Sequence, residues 1–295
     1  MRKNIAFVVN PISGTSNSSN ISIPIHSLLD KKKFDEIRIA TTTHPGHGTE
    51  LAQQFLAEKF DIVVAVGGDG TVNEVGKVLI NSKTALGVIS MGSGNGLARH
   101  LNIPMNFKKA IEQLNFSETI KMDYGLANDK PFFCTAGIGF DAYVSHKFAG
   151  GKKRGMIGYL EQMVTGFLNY EPAHYRLSGN QIDFEGKAFI ITFANASQWG
   201  YNAYIAPNAS VQDGLIDISI ISKVPITAIA SMAFELFTKK IDKDFQYNSL
   251  QTREITLYRD NPGPFHLDGD PYEEGKEIRL KIVPDGLNVV VKKRF

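Results

Sequence analysis

The chain has 295 residues, 43% of them hydrophobic and 21% charged, with a formal net charge of +2. This is the composition of a globular protein long enough for two domains, and so small a net charge, with no basic stripe interleaved with aromatics, excludes a nucleic-acid partner. The single cysteine, Cys134, excludes an internal disulfide, fits a reducing compartment, and reads as a small buried residue in a strand.

Ile5 to Val9 is the first predicted strand, because its apolar run is too short for a signal peptide and Asn10-Pro11 ends it. The polar loop Ser13 to Asn20 follows, and its place after a strand end puts Asn10 and Ser13 beside a ligand crevice. Ile37 to Ala40 reads as the second strand and Thr49 to Glu58 as a helix. In the loop between them, His44 and His47 read as solvated residues, since Pro45 and Gly46 preclude a helical pair and no third ligand is near.

The next stretch organises the chain. Val63 to Val66 is an apolar run broken by Gly67-Gly68-Asp69-Gly70-Thr71 and followed by Val72, Val75, Val78 and Leu79 on one helical face, which predicts strand, tight loop and helix. Glycines let backbone N–H groups approach an anion closely, and the helix N-terminus adds partial positive charge, so the loop reads as a phosphate cradle. Asp69 repels phosphate unless a cation lies between; it therefore signals bound Mg²⁺, a general base, or merely the N-cap of an ordinary turn. Leu86 to Ser90 repeats the pattern, with Gly92-Ser93-Gly94-Asn95-Gly96 turning into a short helix. A right-handed βαβ unit places both loops at the carboxyl ends of neighbouring parallel strands. Neither is a familiar nucleotide fingerprint: Leu97 stands where G-x-G-x-x-G needs glycine, and no G-x-x-x-x-G-K-[ST] occurs.

Lys108 to Leu114 reads as a helix and Thr119 to Tyr124 as the strand handing over to a second domain. Strands then follow in succession: Phe132 to Ala136, Tyr175 to Leu177, Ala188 to Asn195, Ile216 to Ile221, Glu254 to Tyr258 and Ile278 to Val283. Few helices intervene, which predicts an antiparallel sheet or sandwich. The helices are Met156 to Asn169, after a basic turn at Gly150 to Gly155 read as solvated, and Ile226 to Thr238, whose apolar residues serve the core with some left to line a lipid channel. The longest apolar stretch, Val224 to Phe237, contains Pro225 and Glu235 and is too short to span a bilayer, so a cytoplasmic protein with only peripheral membrane contact is expected. The predicted fold is an α/β nucleotide-binding domain with a parallel sheet over residues 1–125 and a mainly antiparallel β domain over 126–295, its last strand free to return to the first domain.

Asn10-Pro11-Ile12-Ser13-Gly14, Gly46-His47-Gly48-Thr49-Glu50, Gly67-Gly68-Asp69-Gly70-Thr71, Gly92-Ser93-Gly94-Asn95, Gly137-Ile138-Gly139-Phe140-Asp141, Asp213-Gly214-Leu215-Ile216-Asp217 and Asp268-Gly269-Asp270, in that order, resemble the diacylglycerol kinase catalytic family. That family includes bacterial lipid kinases and sphingosine kinases and is related in fold to NAD kinases. The resemblance covers nearly the whole chain. It implies an ATP- and Mg²⁺-dependent kinase acting on a lipid hydroxyl, diacylglycerol-like or sphingoid-like, with transient membrane contact; a homodimer stays open. It implies nucleotide contacts at Asn10, Thr42, Gly67, Gly68, Asp69, Gly70, Thr71, Gly92, Ser93, Gly94 and Asn95. Asp270 takes the place of the family's proton acceptor, Asp69 is committed to the metal, and Asp268 is the competing carboxylate. A structural Mg²⁺ is implied at Asp213, grouped with Ser210 and Leu215, backbone carbonyls completing the shell.

Two departures qualify the acceptor. Many members carry Asn-Asp where this chain has Asn95-Gly96, and Asp-Gly-Glu where it has Asp268-Gly269-Asp270. Gly96 removes a carboxylate, and Asp270 shortens the reach by one methylene. A kinase for a soluble acceptor such as a nicotinamide nucleotide, and a catalytically silent nucleotide- or lipid-binding protein, are the alternatives. Without the resemblance, Asp268-Gly269-Asp270 reads as a hairpin turn.

Overall fold

The computed structural model describes residues 2–13, 21–149, 166–167 and 169–293. The basic turn at 150–155, nearly all of the helix predicted over 156–169, and the polar loop beyond Ser13 as far as Asn20 lie outside the described residues. The chain divides into two compact units, Met1–Met122 with Asp285–Phe295, and Asp123–Pro284.

The first unit alternates strand and helix: β1 (Lys3–Val9), α1 (Ser22–Leu28), β2 (Phe34–Thr41), α2 (His47–Ala57), β3 (Ile62–Gly67), α3 (Asp69–Leu79), β4 (Ala85–Ser90), α4 (Gly96–His100), α5 (Phe107–Leu114) and the start of β5 (Ser117–Ala127). The strands run parallel in the order β2-β1-β3-β4, and the end of the chain's last strand lies beside β4, with Val289 opposite Leu86. Every residue of β3 and β4 is buried, so these strands are continuous apolar runs rather than alternating ones, as expected for parallel strands covered on both faces. Helix α1 escaped the sequence reading because it is one short stretch with Pro24 in its first turn and Ile25 alone buried.

The second unit contains β6 (Lys130–Phe132), β7 (Thr135–Gly139), α6 (Phe140–Ala149), β8 (Ala173–Gly179), β9 (Ile182–Ala188), β10 (Ile190–Ala194), β11 (Ile216–Ile221), α7 (Ile229–Thr238), β12 (Tyr247–Thr252), β13 (Glu254–Arg259), β14 (Gly263–Leu267), β15 (Asp270–Glu274) and β16 (Glu277–Lys292). One sheet is β12-β11-β10-β7-β14-β15, antiparallel throughout. Antiparallel pairing of β16, β13, β8 and β9 forms the other. Period-two alternation makes the sandwich: Ile191 and Phe193 of β10 and Ile216, Ile218 and Ile220 of β11 meet Leu177, Leu257 and Leu280 of the opposing sheet. Residues of the other parity, such as Ile190, Ala194 and Ile221, pack under Phe140 and Val144 of α6 and Met232 of α7.

Two predicted strands are broken. The run Phe132 to Ala136 splits because the N–H groups of Phe133 and Cys134 leave the ladder for the Asp268 carboxylate. The run Ala188 to Asn195 splits at Phe189, whose N–H bonds Ile221 while its carbonyl receives Phe140. Among the described residues no helix is long and apolar enough to cross a membrane.

Candidate active site

In the first unit, parallel order brings the carboxyl ends of β1, β2, β3 and β4 to one edge, and the sequence-predicted nucleotide residues gather there. Backbone bonds tie strand end to strand end: Thr42 N–H to Val9 at 2.8 Å, Asn10 N–H to Val66 at 2.9 Å, and Met91 N–H to Gly67 at 2.8 Å. The Asn10 side chain donates to Thr71 Oγ1 at 3.1 Å and accepts the N–H of Ile12 at 3.1 Å. Thr42 and Thr71 are buried while Ser93 is exposed at the tip of its loop. Glycine is required by close approach: a Cβ on Gly92 would lie 2.6 Å from the Gly68 Cα, and one on Gly67 would lie 2.4 Å from Thr71 Oγ1. Helix α3 opens on Gly68, which offers no side-chain cap, so its positive end faces the loop edge.

Asp69 does not cap its own helix. Its Oδ2 accepts the N–H of Asn95 at 2.9 Å and its Oδ1 the N–H of Gly96 at 3.1 Å, so it clamps the start of α4 and joins the two glycine loops. Asn95 completes the turn in the left-handed region, φ 54°, its side chain donating to the Gly92 carbonyl at 2.7 Å. Arg99 Nε donates to the Gly94 carbonyl at 2.9 Å.

Glu74, absent from the predicted site, holds the loop that carries Thr42. Its two carboxylate oxygens accept the N–H groups of Gly46 and Gly48, both at 3.0 Å. Nothing local in the sequence pairs an acid on α3 with a loop 26 residues earlier. The same loop corrects the reading of His44 and His47: Glu50 does bring a third ligand atom, the set lying within 4.8 Å of one another. They still make a poor cation site. His47 Nδ1 accepts the Thr43 N–H at 3.0 Å, which leaves the proton on Nε2, and the N-terminus of α2 opposes positive charge.

In the second unit, Asp268 and Gly269 form a two-residue hairpin turn between Leu267 and Asp270, with φ 50° and 88°. The Asp268 carboxylate accepts backbone N–H groups from Phe133 at 2.9 Å, Cys134 at 2.7 Å and Thr135 at 3.1 Å. Asp268 is thus an anchor that fixes the hairpin to the entry of β7, while Asp270, the first residue of β15, is exposed. The carboxylate that competes for the catalytic role is the one held by the backbone.

Ser210, Asp213 and Leu215 share one turn. Leu215 N–H donates to Asp213 Oδ1 at 3.0 Å, Gln212 N–H to Ser210 Oγ at 3.3 Å, and Gly214 N–H to the buried Asp123 at 2.7 Å. Asp217 follows on β11 with Oδ2 buried and unpartnered. Burial pushes its carboxyl up to about 6; the Gln251 hydrogen bond pulls it back and the Asp213 charge adds to the rise. A buried carboxylate with an orphaned oxygen beside a second acid fits a hard divalent cation, the oxygen-rich set that Mg²⁺ or Ca²⁺ takes.

The motif Gly137 to Asp141 also finds its reason. Asp141 Oδ2 meets His266 Nε2 at 3.0 Å and accepts Thr192 Oγ1 at 3.2 Å, and a Cβ on Gly137 would stand 2.5 Å from that oxygen. His266 and Thr192 were not singled out in the sequence, because each reads as an ordinary strand residue until the sandwich brings β14, β10 and α6 together.

Comparison with known proteins matches residues 4–127 to the diacylglycerol kinase catalytic domain and residues 134–291 to the YegS C-terminal NAD kinase beta sandwich-like domain. The chain is similar to a probable lipid kinase YegS-like of Yersinia enterocolitica, 23% identical over 259 residues, covering 85% of this chain and 86% of that one. A probable lipid kinase YegS-like of Pseudomonas syringae is 26% identical over 268 residues, covering 89% and 87%. Among solved structures, a putative diacylglycerol kinase from Bacillus anthracis superposes with a TM-score of 0.79 at 19% identity over 98% of this chain and 97% of that one.

Proposed function

Since this chain belongs to the diacylglycerol kinase catalytic-domain family, we propose that it transfers the γ-phosphoryl group of ATP to a hydroxyl of a membrane lipid, diacylglycerol-like or sphingoid-like. The observation that carries the reading is the clamp of Asp69 on Asn95 and Gly96, which holds two glycine loops against the open N-terminus of α3. Gly67, Gly68, Gly70, Thr71, Gly92, Ser93, Gly94 and Asn95 would surround the phosphates with backbone donors and helix-end charge, and Asn10 and Thr42 would border the nucleotide. Mg²⁺, when bound, neutralises charge on the phosphates. Asp69, which fixes the loops, would lie beside that charge.

In the reaction the acceptor oxygen bonds to the γ-phosphorus, the bond to the β-bridging oxygen breaks, ADP leaves, and the hydroxyl proton passes to a carboxylate. Asp270 suits that part, being exposed where Asp268 is taken up by backbone N–H groups. A second cation at Asp213 with Ser210 and Leu215 would be structural, relieving the buried charge of Asp217. The enzyme works in the cytoplasm and meets its acceptor at a membrane surface.

The test is turnover of labelled ATP against a panel of diacylglycerol, a sphingoid base and a nicotinamide nucleotide, with ATP binding measured alongside. Transfer to a lipid supports the reading. Transfer only to the nicotinamide nucleotide makes this a kinase for a soluble acceptor, and ATP binding without transfer to any acceptor makes it a silent module.

A further inference from the structure

Helix α7 is apolar around most of its circumference, with Ser231, Glu235 and Thr238 confined to one narrow polar strip. With the 3-10 turn Ile226–Ala228 that leads into it, it sets Ala228, Met232 and Leu236 against the core. The opposite positions, Ile226, Ala230, Phe234 and Phe237, spaced by four, four and three, form a second apolar stripe that is exposed. Ile226 is 68% exposed, Phe234 62% and Phe237 55%, and Phe245, shortly after the helix, is 89% exposed. A contiguous exposed apolar stripe marks a surface meant to be covered.

We propose that this stripe docks on a lipid bilayer bearing anionic headgroups, an inference that rests on the lipid-kinase reading and adds the surface by which the protein reaches its acceptor. The charge around the stripe selects the occupant. Lys239, Lys240 and Lys243 are exposed and follow Phe237 after Thr238, three cations at the end of the stripe; of the acids nearby, Asp242 is exposed while Glu235 is half-buried and shares a side-chain hydrogen bond with Asp244. Lysines beside exposed phenylalanines suit the boundary between headgroups and acyl chains, where the rings insert and the ammonium groups meet phosphate. A second copy of the chain fits less well, because a two-fold contact sets the same face against itself and would bring these lysines together. With ten residues, α7 is about 15 Å long, half the bilayer core, so it lies in the membrane plane rather than crossing it.

The experiment is co-sedimentation of the full chain with phosphatidylcholine vesicles, with and without roughly one quarter phosphatidylglycerol. The wild-type protein is expected to pellet with the anionic vesicles. Phe234→Ser/Phe237→Ser should lower the bound fraction about tenfold or more, Phe234→Leu/Phe237→Leu should restore it, and Lys239→Gln/Lys240→Gln/Lys243→Gln should abolish the preference for phosphatidylglycerol. Thermal melting verifies that the variants are folded, and Ile226→Ser gives a second, single-site probe of the same face. Wild-type protein that stays in the supernatant, or serine variants that bind like wild type, would overturn the proposal. So would a wild-type dimer that the serine variant converts to monomer. Phosphorylation of a detergent-dispersed acceptor should be unchanged in the serine variant, the loss being confined to acceptor carried in vesicles. Protein that binds vesicles through this face yet phosphorylates no lipid would keep the docking surface and remove the kinase reading instead.

Discussion

The Asp69 carboxylate accepts the backbone N–H of Asn95 at 2.9 Å, so an acid on one glycine loop sets the position of the other. With the companion bond from Gly96, both oxygens are engaged in holding the cradle. Asp69→Asn keeps the volume but turns one acceptor into a donor facing N–H groups, and removes the charge. Turnover should fall by about 10²-fold or more in steady-state kinetics. An unchanged kcat would take Asp69 out of the mechanism and leave it a loop tether without catalytic consequence.

Asp270 carries the proton-acceptor assignment, and its weak point is reach, one methylene shorter than glutamate. Asp270→Glu should retain turnover whereas Asp270→Asn should abolish it, with ATP binding normal in both. A normal kcat in Asp270→Asn would pass the role to Asp69 or Asp268.

Asp268 should behave differently. Its loss strands the N–H groups of Phe133, Cys134 and Thr135 at the break between β6 and β7. Asp268→Ala should destabilise the protein by about 1–3 kcal/mol, read from urea unfolding. A variant that loses turnover with full stability would return Asp268 to the catalytic group.

The turn at Asp213 should bind a divalent cation that stabilises the fold. Mg²⁺ should raise the thermal midpoint of the wild-type protein, and Asp213→Ala should both lower the midpoint and remove its dependence on Mg²⁺. Equal stabilisation of the two proteins by Mg²⁺ would argue against a site at Ser210, Asp213 and Leu215.

Local patterns carried much of the molecule. The glycines around Asp69 and Asn95 are legible because backbone that approaches backbone at van der Waals distance excludes a Cβ, and that requirement is written residue by residue. Continuous apolar runs in β3 and β4 and alternation in β10 and β11 are likewise local records of burial on two faces or one. The division of labour between Asp268 and Asp270 was not legible, since two acids around one glycine look alike until three N–H groups from residues more than 130 positions earlier claim the first of them. Glu74 under the Thr42 loop, and His266 beside Asp141, escaped for the same reason. A hydrogen bond fixes a side chain's role through a partner brought near by folding, and in a chain that closes parallel strands by crossover and sandwiches two antiparallel sheets, those partners are distant in sequence.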